Sequence, residues 1–511
     1  MDLHLLSQLK FDSSENNWSH MIEYLKPNLF IDAPKEYNTF MIIAKVSEIL
    51  VSNYDIPENV QVLLLKCLGN SCYKGFTYIK CNISSSKDKY NRELYLKLSE
   101  FSTELSLKKE GYLGQKGSFF PYGGVATWAS DHILLYKNLE NIDCKTEHNL
   151  VRLNIQFLSN LIAFAFDDIK FFSEFNAPSF LKESALKEAI ITFIDSNQTS
   201  LAKASCVFIH NALKRLPSNY INYDERLNFC VPLFKLIKLG QTAAKDTLLI
   251  LMYQSIDLHN IYDKLSSENK LYTLEIIFSE VNDCIYKNEK SQLNRLISRH
   301  MVEFLCIKFC EKCDTILKTY NLYLNDMEPV EIIILLDILG LISSDEHEQS
   351  NYIQTNKSLL INTVYLLKSL HTIGKQSSNF FTPVQKLSDI VSVTKAYHLN
   401  KNIHCNNDSY QTDLQKYNDF ENHPGFGFKA ALMRLIGNLS YKNEFAQNLL
   451  RELEVIQLIL DCCNIDARNP FIMEWSILSL RNLCEGNTEN QKIVKAAKKL
   501  KTVEEALSNV I

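Results

Sequence analysis

Glycine is scarce, with 14 in 511 residues, against an average usage of roughly 7%. Dinucleotide-binding sheets, β-sandwiches and propellers need many glycine turns, so the shortage favours helices. Long apolar runs are also missing. Leu158 to Phe166 is interrupted by Ser159 and Asn160, and Ile332 to Leu341 by Asp337, so no window reaches the ~18 apolar residues of a membrane span. The opening MDLHLLSQLKFDSSENN has neither the basic stretch nor the apolar core of a secretory signal. Excess positive charge is lacking too. Lys+Arg 54 against Asp+Glu 59 gives a net charge of −5, the wrong sign for a dedicated nucleic-acid binder. Core material is plentiful, at 46% hydrophobic and 11% aromatic residues, which excludes disorder for most of the chain. A soluble, intracellular protein is expected. The 14 cysteines are scattered, most of them within hydrophobic runs, and read as reduced core residues rather than a disulfide framework.

Apolar residues recur at helical spacing almost everywhere, and no stretch alternates with period two. Phe40, Ile43, Ala44, Val46 and Leu50 fit one helix; Val60, Leu63, Leu64, Cys67 and Leu68 fit the next. Further helices are expected near 180–195, 199–216, 227–256, 268–286, 291–322, 329–343 and 356–372. Two segments break the pattern. GYLGQKGSFFPYGG (Gly111 to Gly124) holds five of the glycines, and residues 374–424 are rich in Ser, Asn, Asp and Lys. The second is too long for an ordinary helix–helix connection and reads as a partly disordered connecting segment between residues 1–373 and 425–511.

The last stretch contains an internal repeat. Asn438, Leu439, Asn443 and Gln447 align with Asn482, Leu483, Asn487 and Gln491 at an offset of 44 residues, within the ~40–47 period of armadillo and HEAT repeats. Weaker echoes of the same asparagine stand at Asn70, Asn160 and Asn211. Asn469-Pro470 reads as an N-cap followed by proline at the first helical position. The helix after it, with Met473, Ile477, Leu480 and Cys484 on one line, reads as apolar nearly all round and sandwiched between neighbours. Thr488-x-x-Gln491 reads as a capping box for the next helix. The fold expected is all-α, an armadillo-like helical-repeat solenoid of roughly ten irregular repeats at ~40–47 residues each.

GFKAALMRLIGNLSYKNEFAQNLL, followed by IQLILDCCNIDARNPFIMEWSILSLRNLCEGNTENQKIV, closely resembles the C-terminal domain of the ataxin-10 family. Arg434 to Leu439, Asn469-Pro470-Phe471, Glu474-Trp475 and Arg481-Asn482-Leu483 carry the likeness. It is strong over about residues 425–495 and only architectural before that. The resemblance implies a cytoplasmic or perinuclear armadillo-like scaffold acting in neuronal survival, neurite outgrowth and cytokinesis. It also implies the O-linked N-acetylglucosamine transferase and a heterotrimeric G-protein β subunit as partners. It brings no catalytic residues and no cofactor.

Candidate chemistry is thin. Cys306, Cys310 and Cys313 share one helix face, with His300 roughly 120° away; zinc needs converging ligands, so core cysteines are expected. Gly114-x-x-Gly117-Ser118 lacks the lysine order and the preceding strand of a P-loop, and reads as a surface loop with Phe119, Phe120 and Tyr122 as anchors. Asp345 to Glu348 reads as a solvated loop. Lys492, Lys495 and Lys499 crowd one terminal helix, either as the polar face of a capping helix or as a docking site for an acidic partner.

The repeated asparagines are more informative. Buried amides need hydrogen-bond partners, and in peptide-binding armadillo proteins such residues line a groove. The residues four before Asn70, Asn160, Asn438 and Asn482 are Lys66, Gln156, Arg434 and Leu478, without the tryptophan ladder that grips nuclear-localisation signals. Arg434, Asn438 and Asn482 are therefore candidate peptide-groove residues, with internal bracing an equal alternative for the asparagines. The function expected is a non-catalytic protein-interaction scaffold; the alternative is a regulatory subunit that modulates an enzyme such as a glycosyltransferase or a signalling protein. No catalytic residue, cofactor, metal or nucleic-acid partner is expected, and homo-oligomerisation is left open.

Overall fold

The structure is a computed structural model that describes residues 3–31, 37–52, 55–84, 122–138, 145–165, 184–216, 220–254, 258–320, 327–376, 379–386 and 423–497. Among the described residues there are helices and no strand. The chain divides into two compact units, Met1–Gln254 and Ser255–Ile511. Each is a stack of helical repeats, the all-α architecture that the spacing predicts.

The first unit contains α1 (Leu3–Ser14), α2 (Trp18–Tyr24), α3 (Tyr37–Ser52), α4 (Glu58–Ser84), α5 (Gly123–Asn138) and α6 (Lys145–Ala165). It continues with α7 (Ser184–Phe193), α8 (Thr199–Arg215), α9 (Tyr223–Lys238) and α10 (Thr242–Gln254). Helices α4, α6, α8 and α10 pack on one another in that order. Leu64 and Leu68 of α4, Ile155 and Leu158 of α6, and Phe208 and Ile209 of α8 are fully buried between them. Each such side chain contributes about 1.5–3 kcal/mol relative to exposure. The single helix expected over 227–256 is two helices. Gly240 (φ +75°) ends α9, with Gly240 N–H donating to Ile237 O at 2.8 Å and Gln241 N–H to Leu236 O at 3.1 Å, a Schellman stop that glycine makes at no steric cost.

The second unit contains α11 (Leu258–Lys264), α12 (Ser267–Tyr286), α13 (Lys290–Leu296), α14 (Arg299–Lys312), α15 (Met327–Ile342), α16 (Ser350–Gln354) and α17 (Lys357–Gln376). Then follow α18 (Phe428–Ser440), α19 (Glu444–Glu452), α20 (Val455–Asp461), α21 (Ile472–Cys484) and α22 (488–497). Here α12, α15, α18 and α21 form the consecutive stack. The helix expected over 291–322 is also divided. Ser298 caps α14 by accepting from Met301 N–H at 3.2 Å, and a 3-10 turn, Cys313–Tyr320, follows. Of the connecting segment expected over 374–424, residues 374–376 end α17 and 387–422 lie outside the described residues.

Three local expectations in the last repeats need correction. Asn469 does not cap its own helix. Its Oδ1 accepts from Lys429 N–H (3.0 Å) and Ala430 N–H (3.4 Å), so it caps α18 from 40 residues away, while α21 begins after Phe471 in the left-handed region (φ +63°). The cap of α22 is Asn487, which accepts from Asn490 N–H at 3.1 Å, one residue earlier than the expected Thr488. Nor is α21 sandwiched on its apolar line. Its buried face is Ile472, Ser476, Ser479, Asn482 and Leu483, and Ile477 is 56% exposed. Small polar residues win that face because α18 approaches closely: Ser479 Oγ donates to Met433 O at 2.9 Å and lies where a Cβ on Gly437 would fall.

A polar clamp holds residues 379–386 in this unit. Arg468 Nη1 donates to the carbonyls of Asn379 (2.6 Å), Phe380 (2.8 Å) and Thr382 (2.9 Å). Buried Asp466 accepts from Val384 N–H (3.1 Å) and from Asn469 Nδ2 (2.8 Å). Charged groups this deep are stable only when fully hydrogen-bonded, which accounts for the density of partners.

Candidate protein-binding site

The repeated asparagines make one kind of contact. Asn70 Nδ2 donates to Pro27 O (3.0 Å), Asn160 Nδ2 to Gly69 O (3.1 Å), and Asn211 Nδ2 to Ser159 O (3.2 Å) and Ser159 Oγ (2.9 Å). In the second unit Asn438 Nδ2 donates to Gly340 O (3.1 Å) and Ser343 Oγ (3.2 Å), and Asn482 Nδ2 to Gly437 O (2.9 Å). Gly69, Ser159 and Gly437 each immediately precede the asparagine of the neighbouring layer. The rungs therefore link like position to like position. The carbonyls of Gly340 and Gly437, near helix C-termini, are shared between the amide and the hydroxyl three residues on, Ser343 Oγ (3.2 Å) and Ser440 Oγ (3.0 Å). None of these five amide oxygens accepts a hydrogen bond from a described residue.

The other repeated positions keep their roles as well. Asn443 caps α19 through Ala446 N–H (3.2 Å), as Asn487 caps α22. Gln447 Nε2 reaches Ser440 O (3.4 Å), and Gln491 Nε2 reaches the equivalent Cys484 O (2.9 Å). The 44-residue offset is thus a repeat of hydrogen-bond function, not of composition alone.

Arg434 lies four residues, about one turn, before Asn438 on α18. Its Nη2 is 3.6 Å from Asp337 Oδ1 on α15, and its side chain is 24% exposed. The guanidinium lies over the Trp475 ring at 5.9 Å and fills the space above Gly340, where a Cβ would come within 2.3 Å of Nη2. It makes no hydrogen bond to any described residue, and its Nε is buried without a partner. Burial pushes the Asp337 carboxyl up, opposed by the Arg434 charge. Asp337 and Gly340 come from α15 and Trp475 from α21, and sequence spacing gives no sign that these two helices meet at Arg434.

The lysines of the last helix are less organised. Lys492 pairs with Glu489 at 2.7 Å on the surface, Lys495 is exposed, and Lys499 lies outside the described residues. Of the loop anchors, Tyr122 is buried with its hydroxyl 2.9 Å from Ser71 Oγ; Phe119 and Phe120 lie outside the described residues. In the acidic loop, His347 Nε2 is 2.8 Å from Ile342 O and its Nδ1 accepts from Gln349 N–H at 3.1 Å. That uses both ring nitrogens.

Cys306 and Cys313 are buried and Cys310 half-buried. Burial pushes the Cys310 thiol up to about 11 and that of Cys313 to about 12, so at neutral pH they are poor nucleophiles. No group of three or more His, Cys, Asp or Glu among the described residues is placed to hold a metal ion. No described helix is long and apolar enough to cross a membrane.

Residues 428–510, from the start of α18 onward, match the family model of the spinocerebellar ataxia type 10 protein domain. The chain is 26% identical to ataxin-10 of Homo sapiens over 375 residues, covering 72% of this chain and 69% of that protein. These matches make the chain similar to ataxin-10 over most of its length. It is 33% identical to the Xenopus tropicalis ataxin-10 over 235 residues, which are 46% of this chain and 42% of the frog protein. A Dictyostelium discoideum ataxin-10 homolog is 51% identical over 72 residues, 14% of this chain and 12% of the other. The ataxin-10 domain contains the Arg434 seat, both C-terminal asparagine rungs and the Asn469 cap.

Proposed function

We propose that the protein is a non-catalytic interaction scaffold that holds an extended, acidic segment of a protein partner along Arg434, Asn438 and Asn482. The observation that carries this reading is the Arg434 guanidinium. It is three-quarters buried, its nearest carboxylate oxygen is 3.6 Å away, and no described residue takes a hydrogen bond from it. A partly buried arginine normally has a close, paired acceptor. An incoming carboxylate or phosphate would supply one.

The asparagines divide their groups between two tasks. Each N–H₂ donates to the preceding layer, and each Oδ1 is left as an acceptor for a ligand backbone N–H. Bracing and peptide contact are then compatible in one residue. The family resemblance extends the proposal to cytoplasmic roles in cytokinesis and neurite outgrowth, with the O-linked N-acetylglucosamine transferase and a G-protein β subunit as partners, and Lys492, Lys495 and Lys499 as a further contact for an acidic surface.

The test combines affinity capture and mass spectrometry with melting temperatures for wild type, Arg434→Ala, Asn438→Ala and Asn482→Ala. Loss of a captured partner in Arg434→Ala at an unchanged melting temperature supports the groove. An identical set of partners for wild type and Arg434→Ala rejects it.

A further inference from the structure

The first unit contains a second cationic groove, of about 540 Å³. Lys26 and Asn28 line it from the turn after α2, Lys66 and Asn70 from α4, and Arg152 and Gln156 from α6. We propose that this groove binds a stretch of a partner protein rich in Asp and Glu, in extended conformation.

Three observations carry the assignment. First, the charge is one-sided, because no carboxylate is among the described residues that line the groove. Lys66 is exposed and has no ion pair or hydrogen bond to a described residue. Among the described residues Lys26 Nζ donates only to Ile22 O, at 3.2 Å. Second, the arginine is held ready by neutral groups. Arg152 Nη1 donates to Gln156 Oε1 (3.2 Å) and Nη2 to Asn149 Oδ1 (2.8 Å). Both partners are amides, so they fix the fork of the guanidinium without cancelling its charge. Third, the floor is rigid. Asn70 Nδ2 holds Pro27 O at 3.0 Å, which ties the turn bearing Lys26 to the helix bearing Lys66.

The three cations come from three separate elements, each of which also brings an amide to the groove. That layout matches negative charges distributed along a strand better than one concentrated dianion, and it favours carboxylates over a single phosphorylated side chain. The amides of Asn28, Asn70 and Gln156 can hydrogen-bond a peptide backbone. Uncompensated lysines around a cleft also raise the encounter rate with an acidic segment, an effect that salt weakens.

The test is fluorescence anisotropy of a labelled twelve-residue Asp/Glu-rich peptide with the full-length chain. The variants are Lys66→Glu and Arg152→Gln, each made in an Arg434→Ala background and checked for an unchanged melting temperature. Wild type should bind, with affinity falling as salt rises. Lys66→Glu and Arg152→Gln should each weaken binding by about tenfold or more, as expected for a charge-assisted contact. The Arg434→Ala background removes the site proposed for the second unit, so the binding that remains is that of the groove. Lys66 is exposed, so its substitution tests the groove even where Arg152→Gln perturbs folding. The assignment is overturned if Lys66→Glu binds as tightly as the Arg434→Ala background, or if Arg434→Ala alone abolishes binding. It is also overturned if a singly phosphorylated peptide or a short RNA of equal charge binds tenfold more tightly.

Discussion

Asn482 donates its side-chain amide to the main-chain carbonyl of Gly437, 45 residues earlier and 2.9 Å away. Asn482 is 6% exposed, so water is a poor substitute for either group. Replacing it with alanine leaves that carbonyl with only the Ser440 hydroxyl, at 3.0 Å, and is expected to cost about 1–2 kcal/mol. At ~2–4 °C per kcal/mol for a unit of this size, the melting temperature should fall by about 2–8 °C. Asn438→Ala should cost less, because Asn438 is only half-buried and water can reach the groups it leaves. Differential scanning calorimetry that finds Asn438→Ala the more damaging change would contradict this ranking.

Gly340 and Gly374 should respond to alanine in opposite ways. A Cβ on Gly340 meets the mobile end of the Arg434 side chain at 2.3 Å, whereas one on Gly374 meets the Phe381 backbone carbonyl oxygen at 2.3 Å. Gly340→Ala should unseat Arg434 with little loss of stability, helped by the better helix propensity of alanine. The change should appear in Trp475 fluorescence, since the guanidinium lies over that ring. Gly374→Ala has no soft neighbour to displace and should lower stability by about 1–3 kcal/mol. Equal melting temperatures for the two variants would refute the distinction.

His423 predicts an acid-sensitive window. It stacks on Phe380 at 3.5 Å, and its Nδ1 accepts from Gly425 N–H at 3.0 Å. Burial, and to a smaller extent the Arg468 charge, lower its pKa to about 4, against the opposing pull of a bond to the Thr319 backbone. The unfolded chain therefore binds a proton near pH 6.5 that the folded chain refuses until about pH 4. Its contribution is fully present above pH 6.5 and is lost progressively as pH falls towards 4. His132, His210, His259, His347 and His371 shift in the same direction. Urea midpoints should decline over this window, less steeply in His423→Phe, which keeps the stack. An unchanged slope in that variant would exclude His423 as a contributor.

The thiols of α14 should resist alkylation. With Cys306 and Cys313 buried and their pKa values raised by burial, iodoacetamide at neutral pH should leave both unmodified until the protein is unfolded. Peptide mapping that finds either one rapidly labelled in the native protein would show that the α14 face opens readily.

The helices were legible in the sequence because burial has a period. Leu64 with Leu68, or Leu432 with Ile436, announce their faces by spacing alone. The asparagine rungs were half legible: the 44-residue offset located them, but not which group each amide bonds. Asn469 misled because Asn-Pro looks like a local cap, whereas its oxygen serves a helix 40 residues upstream, and local spacing does not encode a contact that distant. The seat of Arg434 was hidden for the same reason. It depends on Gly340 having no side chain and on Trp475 arriving from the next layer. The groove around Lys66 was illegible apart from that lysine's place four residues before Asn70. Solvent-facing cations leave no periodic trace, and Lys26, Lys66 and Arg152 become neighbours only after α4 and α6 pack.

The direction of the rungs bears on how the chain is made. In all five, the donor lies later in the sequence than the acceptor. On a ribosome each carbonyl emerges first, where water or its own helix can tend it, and the asparagine that will claim it follows. Growth in that order never leaves a buried amide waiting for an acceptor not yet synthesised. Shortening the chain from its beginning, by contrast, would strand Asn70, and a circular permutant opened between α15 and α18 would strand Asn438 until the far end of the polypeptide was complete.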